Sequence, residues 1–253
     1  MTTLGELLGF LEELAPLELA QPWDNSGLLV ERQGEEISRV LLALDITPQV
    51  VQEGARRQVQ VVFSHHPVIF SPLRRLELAN PAMQLARSNI AAVCLHTNLD
   101  AAALGVNTQL AKAIGLQQVR PIGGQAIGVL GELSQPLLPS RLAQLVKERL
   151  GAPFVEFCAP ESPVPVSTLG LCSGAGGEFA QAAFACGAQA FLTGEIKYHD
   201  MLDAQTRGEC ILAAGHYYTE ALVMPPVKKL LEQRFDQVEF LLSESQCAPG
   251  KIV

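Results

Sequence analysis

The sequence predicts an α/β protein made of two similar lobes with mixed, largely parallel sheets. Short apolar runs typical of buried strands alternate with segments of helical periodicity. Three predicted strands of the first half are matched by three of the second half, in the same order: 39–44, 59–63 and 90–95, then 166–172, 189–193 and 210–214. The 253 residues, 48% of them hydrophobic, suffice for one large or two small domains. We therefore predict a first lobe over 1–125, onto which 221–253 packs back, and a second lobe over 126–220.

The first half begins with an amphipathic helix. Thr3 and Glu6 form a capping box, and leucines at helical spacing follow it. The remaining elements predicted for this half are strands at 28–30, 39–44, 59–63 and 90–95 and helices at 48–57, 80–88 and 107–114. Strand, helix and strand in this order form a βαβ unit, which requires parallel strands.

The second half repeats this alternation after a proline-rich loop around 160–165. Its predicted strands are 126–133, 166–172, 189–193, 210–214 and 238–242, and its predicted helices are 140–150, 178–186, 197–204 and 226–235. The glycine turn at 173–177 lacks the lysine of a phosphate-binding loop. It predicts a close approach of backbone between strand and helix, with a weak anion site at the helix start as the alternative.

Composition narrows the functional classes. A net charge of −8 disfavours binding to nucleic acid or to an anionic membrane, because both need a basic surface. No apolar run approaches the length of a membrane span, and the first residues lack the pattern of a signal peptide. The six cysteines form no C-x-x-C pair, and four lie in apolar segments. We expect buried, reduced thiols in a cytoplasmic protein.

Metal-competent side chains follow three predicted strands: His65 and His66, His96 with Asp100, and His216 with Glu220. Ligands of open α/β sheets bind at the carboxyl ends of the strands. Each of the last two pairs has a spacing of four, which places both members on one side of a helical turn.

The adjacent histidines suit two ions better than one. Consecutive side chains on extended backbone point to opposite sides, so His65 and His66 would each take one ion. Alone, this pair is more typical of a loop beside a strand than of a metal site. Imidazole and carboxylate ligands suit Zn, Fe, Mn, Ni or Co, and Asp100 or Glu220 could bridge two such ions.

Five motifs resemble the NIF-three-like family of dinuclear-metal proteins, whose members are often named type-two GTP cyclohydrolase I homologues. The motifs, which span nearly the whole chain, are Trp23-Asp24-Asn25-Ser26-Gly27-Leu28, Ser64-His65-His66-Pro67, His96-Thr97-Asn98-Leu99-Asp100, Thr193-Gly194-Glu195-Ile196-Lys197-Tyr198-His199-Asp200 and Gly215-His216-Tyr217-Tyr218-Thr219-Glu220. The resemblance implies a metal pair in a cleft between two α/β lobes and a homohexameric toroid. The ligands it implies are His65, His66, Asp100, His216 and Glu220, with Glu220 bridging.

For each of the remaining motif residues, the sequence allows two interpretations. His96 is a further ligand or supports one, and Glu195 and His199 either move protons or are ordinary polar residues beside a strand. Asp24 lies in a motif that also fits a surface turn with a packed tryptophan, Trp23.

Two functions are consistent with this sequence. The first is a dinuclear, metal-dependent hydrolase acting on a small-molecule substrate, a nucleotide or phosphoester, with Glu195, His199 or His96 as catalytic candidates. The second is a non-catalytic metal-binding, regulatory or interaction protein that forms a ring assembly. The acidity of the chain makes nucleic acid the weaker partner hypothesis.

Overall fold

The computed structural model describes residues 1–250. The strands are β1 (Thr2–Thr3), β2 (Gly27–Val30), β3 (Glu36–Ile37), β4 (Arg39–Ala43), β5 (Val61–Ser64), β6 (Ala91–Cys94), β7 (Gln117–Pro121), β8 (Val129–Leu137), β9 (Glu156–Cys158), β10 (Val166–Cys172), β11 (Ala190–Thr193), β12 (Ile211–Ala213) and β13 (Glu239–Leu242). The α-helices are α1 (Leu4–Leu14), α2 (Pro48–Arg56), α3 (Pro81–Arg87), α4 (Thr97–Ala101), α5 (Val106–Ile114), α6 (Pro139–Leu150), α7 (Ala180–Ala185), α8 (Tyr198–Arg207), α9 (His216–Glu220) and α10 (Met224–Arg234).

The first of two structural units contains Met1–Ala103 and Val223–Cys247. Its main sheet has the strand order β13-β4-β5-β6-β2. The strands β13, β4, β5 and β6 run parallel, and β2 pairs with β6 in the antiparallel direction. The apolar residues of β4 and β5 are buried in one core with residues of α2 and α3, among them Leu41, Val50, Val62 and Leu85.

The second unit contains Leu104–Leu222 and residues 248–250. Its sheet has the order β7-β8-β10-β11-β12-β9, in which β10, β11 and β12 are parallel. The strand β9 pairs with β12 in the antiparallel direction, just as β2 pairs with β6 in the first unit. The predicted α/β class, the mixed sheets and the repeated order of three parallel strands are therefore confirmed.

The division between the units differs from the one predicted at 125/126. The structure places it after Ala103, and only 223–247 of the C-terminal segment belongs to the first unit. Leu110, Ala111 and Ile114 of α5 are buried in the core of the second unit with residues of α6 and β10. The strand β7 pairs with β8 of the same unit. Helix α5 and β7 therefore belong to the second unit because both bury or pair their residues there.

Several short strands were not predicted. The five residues of β7 are all exposed, so the strand has no apolar run to reveal it. Likewise, β9 has three residues, of which only Cys158 is buried. The predicted strand 126–133 begins later and runs longer, as β8. These elements are defined by pairing with neighbours rather than by their own sequence pattern.

The parallel strands bring polar residues to one edge of each sheet. In the first unit, β4 ends just before Asp45, β5 before His65 and β6 before His96. In the second, Gly174 and Glu195 lie two residues after the ends of β10 and β11, and His216 lies three residues after the end of β12. The carboxyl ends of parallel strands are the usual place for ligand sites in such sheets.

Four of the six cysteines are buried, in line with the apolar segments in which four of them were expected to lie. Cys94, Cys158, Cys172 and Cys210 are buried, Cys186 and Cys247 are exposed, and no disulfide is present within the described part of the chain. Burial raises the pKa of the Cys210 thiol to about 12 and also raises that of Cys94 well above its ordinary value. None of the helices in residues 1–250 is long and apolar enough to cross a membrane.

A buried carboxylate ties the segment after β13 to α2. Glu53 is 2% exposed and accepts hydrogen bonds from the Ser243 hydroxyl at 2.7 Å and from the Glu244 and Ser245 amides at 3.1 and 3.0 Å. Arg57 donates a further bond to it at 2.8 Å. Burial by itself would raise the pKa of Glu53, but the donors from Ser243, Glu244 and Ser245 outweigh it and lower that pKa to about 2.

The Glu53→Gln substitution should therefore lower the free energy of unfolding by about 2 kcal/mol at pH 7. Because the folded-state pKa is depressed, this stabilisation is complete above the ordinary glutamate pKa and is lost as the pH falls towards 2. Urea unfolding at pH 7 and at pH 3.5 measures both effects. Glu244→Gln, which removes a largely exposed partner of Arg57, is the matched control and should change stability by less than about 0.5 kcal/mol. Equal effects of the two substitutions would contradict this account.

Candidate metal centre

Three histidine rings of the first unit lie together at the ends of β5 and β6. The ring centroids of His65 and His66 are 5.1 Å apart, and His96 lies 5.2 Å from the first and 5.6 Å from the second. One ring nitrogen from each residue lies within 4.8 Å of the other two. The sequence placed these histidines at two strand ends, and the parallel pairing of β5 with β6 brings them side by side.

Each of the three rings has its Nδ1 atom held by an oxygen that can only accept a hydrogen bond. His65 Nδ1 lies 2.9 Å from the Leu95 carbonyl oxygen. His66 Nδ1 lies 2.7 Å from Asp45 Oδ1, and His96 Nδ1 lies 2.7 Å from Asp24 Oδ1. In neutral rings Nδ1 therefore carries the proton and Nε2 carries the lone pair. A histidine held in this way by an oxygen acceptor is typical of metal ligands.

Asp24 has a larger role than a surface turn would give it. Its side chain is fully buried and accepts hydrogen bonds from His96 and from the Thr97 amide and hydroxyl. Burial alone would raise its pKa, but the bonds from His96 and Thr97 hold that pKa well below the ordinary aspartate value. The predicted turn is present, but Trp23 in it is 61% exposed, so the tryptophan is not packed in a core.

Asp100 lies in α4, one turn after His96. The expected helical turn is present, because the Asp100 amide donates to the His96 carbonyl at 3.0 Å. Asp100 Oδ1 lies 3.7 Å from Nε2 of His65. This distance is too long for a hydrogen bond and slightly longer than the roughly 3–3.5 Å that separates two ligand atoms each about 2.1 Å from one metal.

The second unit presents a histidine and a carboxylate on α9. Nε2 of His216 lies 2.9 Å from Oε2 of Glu220, and Nδ1 of the same ring lies 3.3 Å from Oε1 of Glu195. Glu220 is 4% exposed, whereas the side chain of Glu195 is 60% exposed. Helix α9 is only five residues long, as expected from Pro225 and Pro226 that follow it.

The predicted close approach in the glycine turn is explained by Glu220. Gly174 has φ of +58°, and a Cβ atom on it would lie 2.0 Å from Oε1 of Glu220 and 3.2 Å from Nε2 of His216. The Gly174 amide also donates to the Thr219 hydroxyl at 3.1 Å. Only glycine therefore fits where the turn meets the carboxylate. This removes the need for an anion site to explain the glycines.

These residues fit a divalent metal by their chemistry. Imidazole nitrogens and carboxylate oxygens are ligands of the first-row divalent ions, and the three histidines of the first unit form a group that could hold one. A buried carboxylate beside an imidazole is also an arrangement that a cation stabilises. Of the catalytic candidates, His96 and Glu195 lie in these clusters. His199 is exposed in the first turn of α8, against the ring of Tyr198 at 5.4 Å.

The sequence analysis missed two residues, Asp24 and Asp45, that orient His96 and His66. Asp24 was part of a recognised motif, and Asp45 immediately follows the strand β4 and Leu44. Asp45 follows β4 and Asp24 precedes β2, and a carboxylate beside a strand end can indicate a functional site. Single carboxylates in such turns are common, however, so this position alone does not identify them. Their hydrogen-bonded partners become visible only in the folded protein.

Fold and side chains together define a class of proteins: two α/β units with histidine and carboxylate groups at the carboxyl ends of parallel strands, where they could hold metal ions. The family model of Duf34/NIF3 (NGG1p interacting factor 3) matches residues 2–249. The chain belongs to this family, and the resemblance inferred from the motifs is confirmed.

Individual relatives support this assignment. A Clostridium perfringens protein named GTP cyclohydrolase 1 type 2 homolog is 27% identical and aligns with 99% of each chain. The Schizosaccharomyces pombe Protein NIF3 homolog is 31% identical over 85% of this chain and 84% of its own. The crystal structure of Staphylococcus aureus protein SA1388 superposes with a TM-score of 0.93 at 26% identity, covering 100% of this chain and 99% of that one.

Metal binding at the three histidines should be visible through Trp23, the one tryptophan of the sequence. Its ring centroid lies 6.2 Å from that of His96. We expect saturable quenching of its fluorescence on titration with Co²⁺ or Ni²⁺, because both ions quench nearby excited states. His65→Ala should abolish the quenching, and His199→Ala should leave it unchanged. Equal quenching in all three proteins would contradict metal binding at this cluster.

Asp45 gives a second test, of the hydrogen bond that orients His66. The Asp45→Asn substitution keeps the size of the side chain but removes the charge, so the affinity for the ion bound by His66 should fall by about tenfold or more. Competition with a chromogenic chelator measures this affinity. Asp203→Asn, at an exposed position of α8, is the matched control and should have no effect. Unchanged affinity in the Asp45 variant would show that this hydrogen bond does not support metal binding.

Proposed function

We propose that the protein binds two divalent metal ions through His65, His66, Asp100, His216 and Glu220 and uses them to hydrolyse a nucleotide or another phosphoester. The observation that carries this proposal is the fixed orientation of three clustered imidazoles. Each has its Nδ1 atom held by a carbonyl or carboxylate oxygen, which directs the lone pair of Nε2 away from that acceptor. Clustered imidazoles oriented in this way by oxygen acceptors are typical of metal ligands.

Two features support a pair of ions rather than one. His65 and His66 are consecutive after β5, and Asp100 lies 3.7 Å from Nε2 of His65, so we propose that His65 and Asp100 hold one ion and His66 the other. Glu220 has two carboxylate oxygens and only a narrow space, bounded by Gly174 and His216, in which to place them. We propose that Glu220 bridges the two ions, as the resemblance implies.

The substrate class rests on the relatives. Several carry the name GTP cyclohydrolase 1 type 2 homolog, as the Clostridium perfringens protein does. A nucleotide is therefore the first substrate to test, with simple phosphoesters second.

The ions would supply an acidified water and positive charge to stabilise the oxygen on which negative charge develops. The protein supplies orientation and proton transfer. Asp24 and Asp45 fix the rings of His96 and His66. Glu195 is exposed to solvent and lies 3.3 Å from His216 Nδ1, so we propose that it accepts the proton released during hydrolysis. The ring of His96 clusters with those of His65 and His66, so His96 is a further candidate metal ligand.

The homohexameric ring that the resemblance implies remains part of this proposal. Light scattering on the purified protein tests it directly. If the protein assembles and binds metal without turning over any substrate, the non-catalytic alternative is the better description.

The decisive experiment combines elemental analysis with a screen of nucleotides and phosphoesters. We expect about two divalent ions per chain and turnover of at least one substrate. Glu220→Ala and His65→Ala should lower both by at least about tenfold, since each removes a ligand. Glu195→Gln should keep the metal content and lower kcat about 100-fold, because it removes the proton acceptor alone. Asp203→Asn, at an exposed position of α8, serves as the control with unchanged activity and metal content. Full metal content in Glu220→Ala would overturn the proposed ligand set.

A further inference from the structure

A cavity of about 710 Å³ opens beside His216 within the second unit. Its volume is in the range of pockets that bury a small organic ligand. Phe154, Tyr217, Tyr218 and Ile196 form apolar parts of its wall. The cavity is therefore large enough for a nucleoside, and it lies next to a proposed metal ligand, so the side chains that line it bear on the class of substrate.

The aromatic wall is built around Gly215. This glycine has φ of +89°, and a Cβ atom on it would lie 3.0 Å from the ring of Tyr218 and 3.8 Å from the ring of Phe154. Tyr217 meets Tyr218 edge to face, with ring centroids 5.5 Å apart. Phe154 is 39% exposed although it is a large apolar side chain. Exposed aromatic faces at a cavity wall are suited to stacking against a flat ring.

The charged groups of the cavity are acidic. Glu156 and Glu195 both line it. Glu156 lies at the start of the edge strand β9, opposite Ala213 of β12, and is exposed. Among the described residues that line the cavity there is no lysine and no arginine. A polyphosphate placed here would face two carboxylates without a basic side chain from that lining to balance its charge.

We infer that this cavity binds a flat, uncharged or cationic ring of nucleoside size and disfavours a polyphosphate. The carboxylates can accept hydrogen bonds from the amino groups of a base, and the aromatic rings attract cations as well as flat rings. That the ring belongs to a substrate rests on the proposed function. Any phosphate of that substrate then lies outside this cavity, so the ligand enters it with its base rather than with its triphosphate.

Isothermal titration of the full chain with nucleosides and nucleoside triphosphates tests this inference. The titrations are done in EDTA, because metal ions would bind the phosphates by themselves. The probes are the four common ribonucleosides and their 5′-triphosphates. We expect at least one nucleoside to bind about tenfold more tightly than its triphosphate, since like charges oppose the latter.

Three variants test whether the charge and the aromatic ring at this cavity determine the difference in binding between nucleoside and triphosphate. Glu156→Lys reverses one charge at the cavity and should strengthen triphosphate binding about tenfold while changing nucleoside binding less than about twofold. Glu161→Lys makes the same charge change at an exposed position outside the cavity lining and should alter neither by more than about twofold. Phe154→Ala should weaken nucleoside binding about tenfold through loss of stacking.

The inference is overturned if no nucleoside binds, if a triphosphate binds the unmodified protein as tightly as its nucleoside, or if Glu156→Lys behaves as Glu161→Lys does. These outcomes are separate from failure of the proposed function. Nucleoside binding without any turnover of the metal-loaded protein counts against hydrolysis alone. Turnover of a nucleotide by a protein that binds no nucleoside in EDTA counts against the cavity assignment alone.

Discussion

The hydrogen bond at each Nδ1 atom is the interaction on which the candidate site depends. An imidazole has two nitrogens of similar basicity, and a ring that could rotate would offer either of them. The Leu95 carbonyl, Asp45 and Asp24 remove that choice for His65, His66 and His96. These acceptors lie at or near the ends of strands, so the parallel pairing of β4, β5 and β6 sets ring orientation as well as ring position.

This arrangement includes buried charges that lower the stability of the folded chain unless they have partners. Asp24 and Glu220 are carboxylates with little or no exposure to water, and burial of charge is unfavourable unless partners compensate for it. For Asp24 the compensation comes from donors on His96 and Thr97. Glu220 has the ring of His216 at 2.9 Å. A bound divalent cation would stabilise both the arrangement and the fold, since ligands that bind only the native state shift unfolding in its favour.

The elements best predicted from the sequence are those that bury apolar runs. Val61 to Phe63 has three consecutive buried residues, and the strand β5 lies where the run predicts it. The exposed strand β7 has no such run, and its existence depends on its partner β8. Helix α5 was predicted correctly as a helix but assigned to the first lobe. A helical pattern shows which face is buried and does not show which core buries it.

The site likewise contains residues that a sequence pattern reveals and residues whose role depends on contacts in the folded protein. The histidines were found because four of five follow strands and resemble family motifs at defined spacings. Asp45 has neither a motif nor a characteristic spacing, and its role arises from a contact with His66, which lies 21 positions away. Residues that bind a metal directly are limited to a few chemical types, whereas residues that orient them can be any acceptor in reach. Sequence patterns therefore reveal the former more readily than the latter.

Gly174 has a consequence for divergence among proteins that share this fold. Its neighbour Glu220 occupies the space that any side chain at 174 would need, and the glycine is buried within its turn. A single methyl group there would push the carboxylate aside and crowd the ring of His216, whose Nε2 atom would lie 3.2 Å from it. Loss of the proposed metal binding would therefore need no loss of a ligand residue. One alanine in this turn would be enough to displace Glu220 while every proposed ligand stays in the sequence.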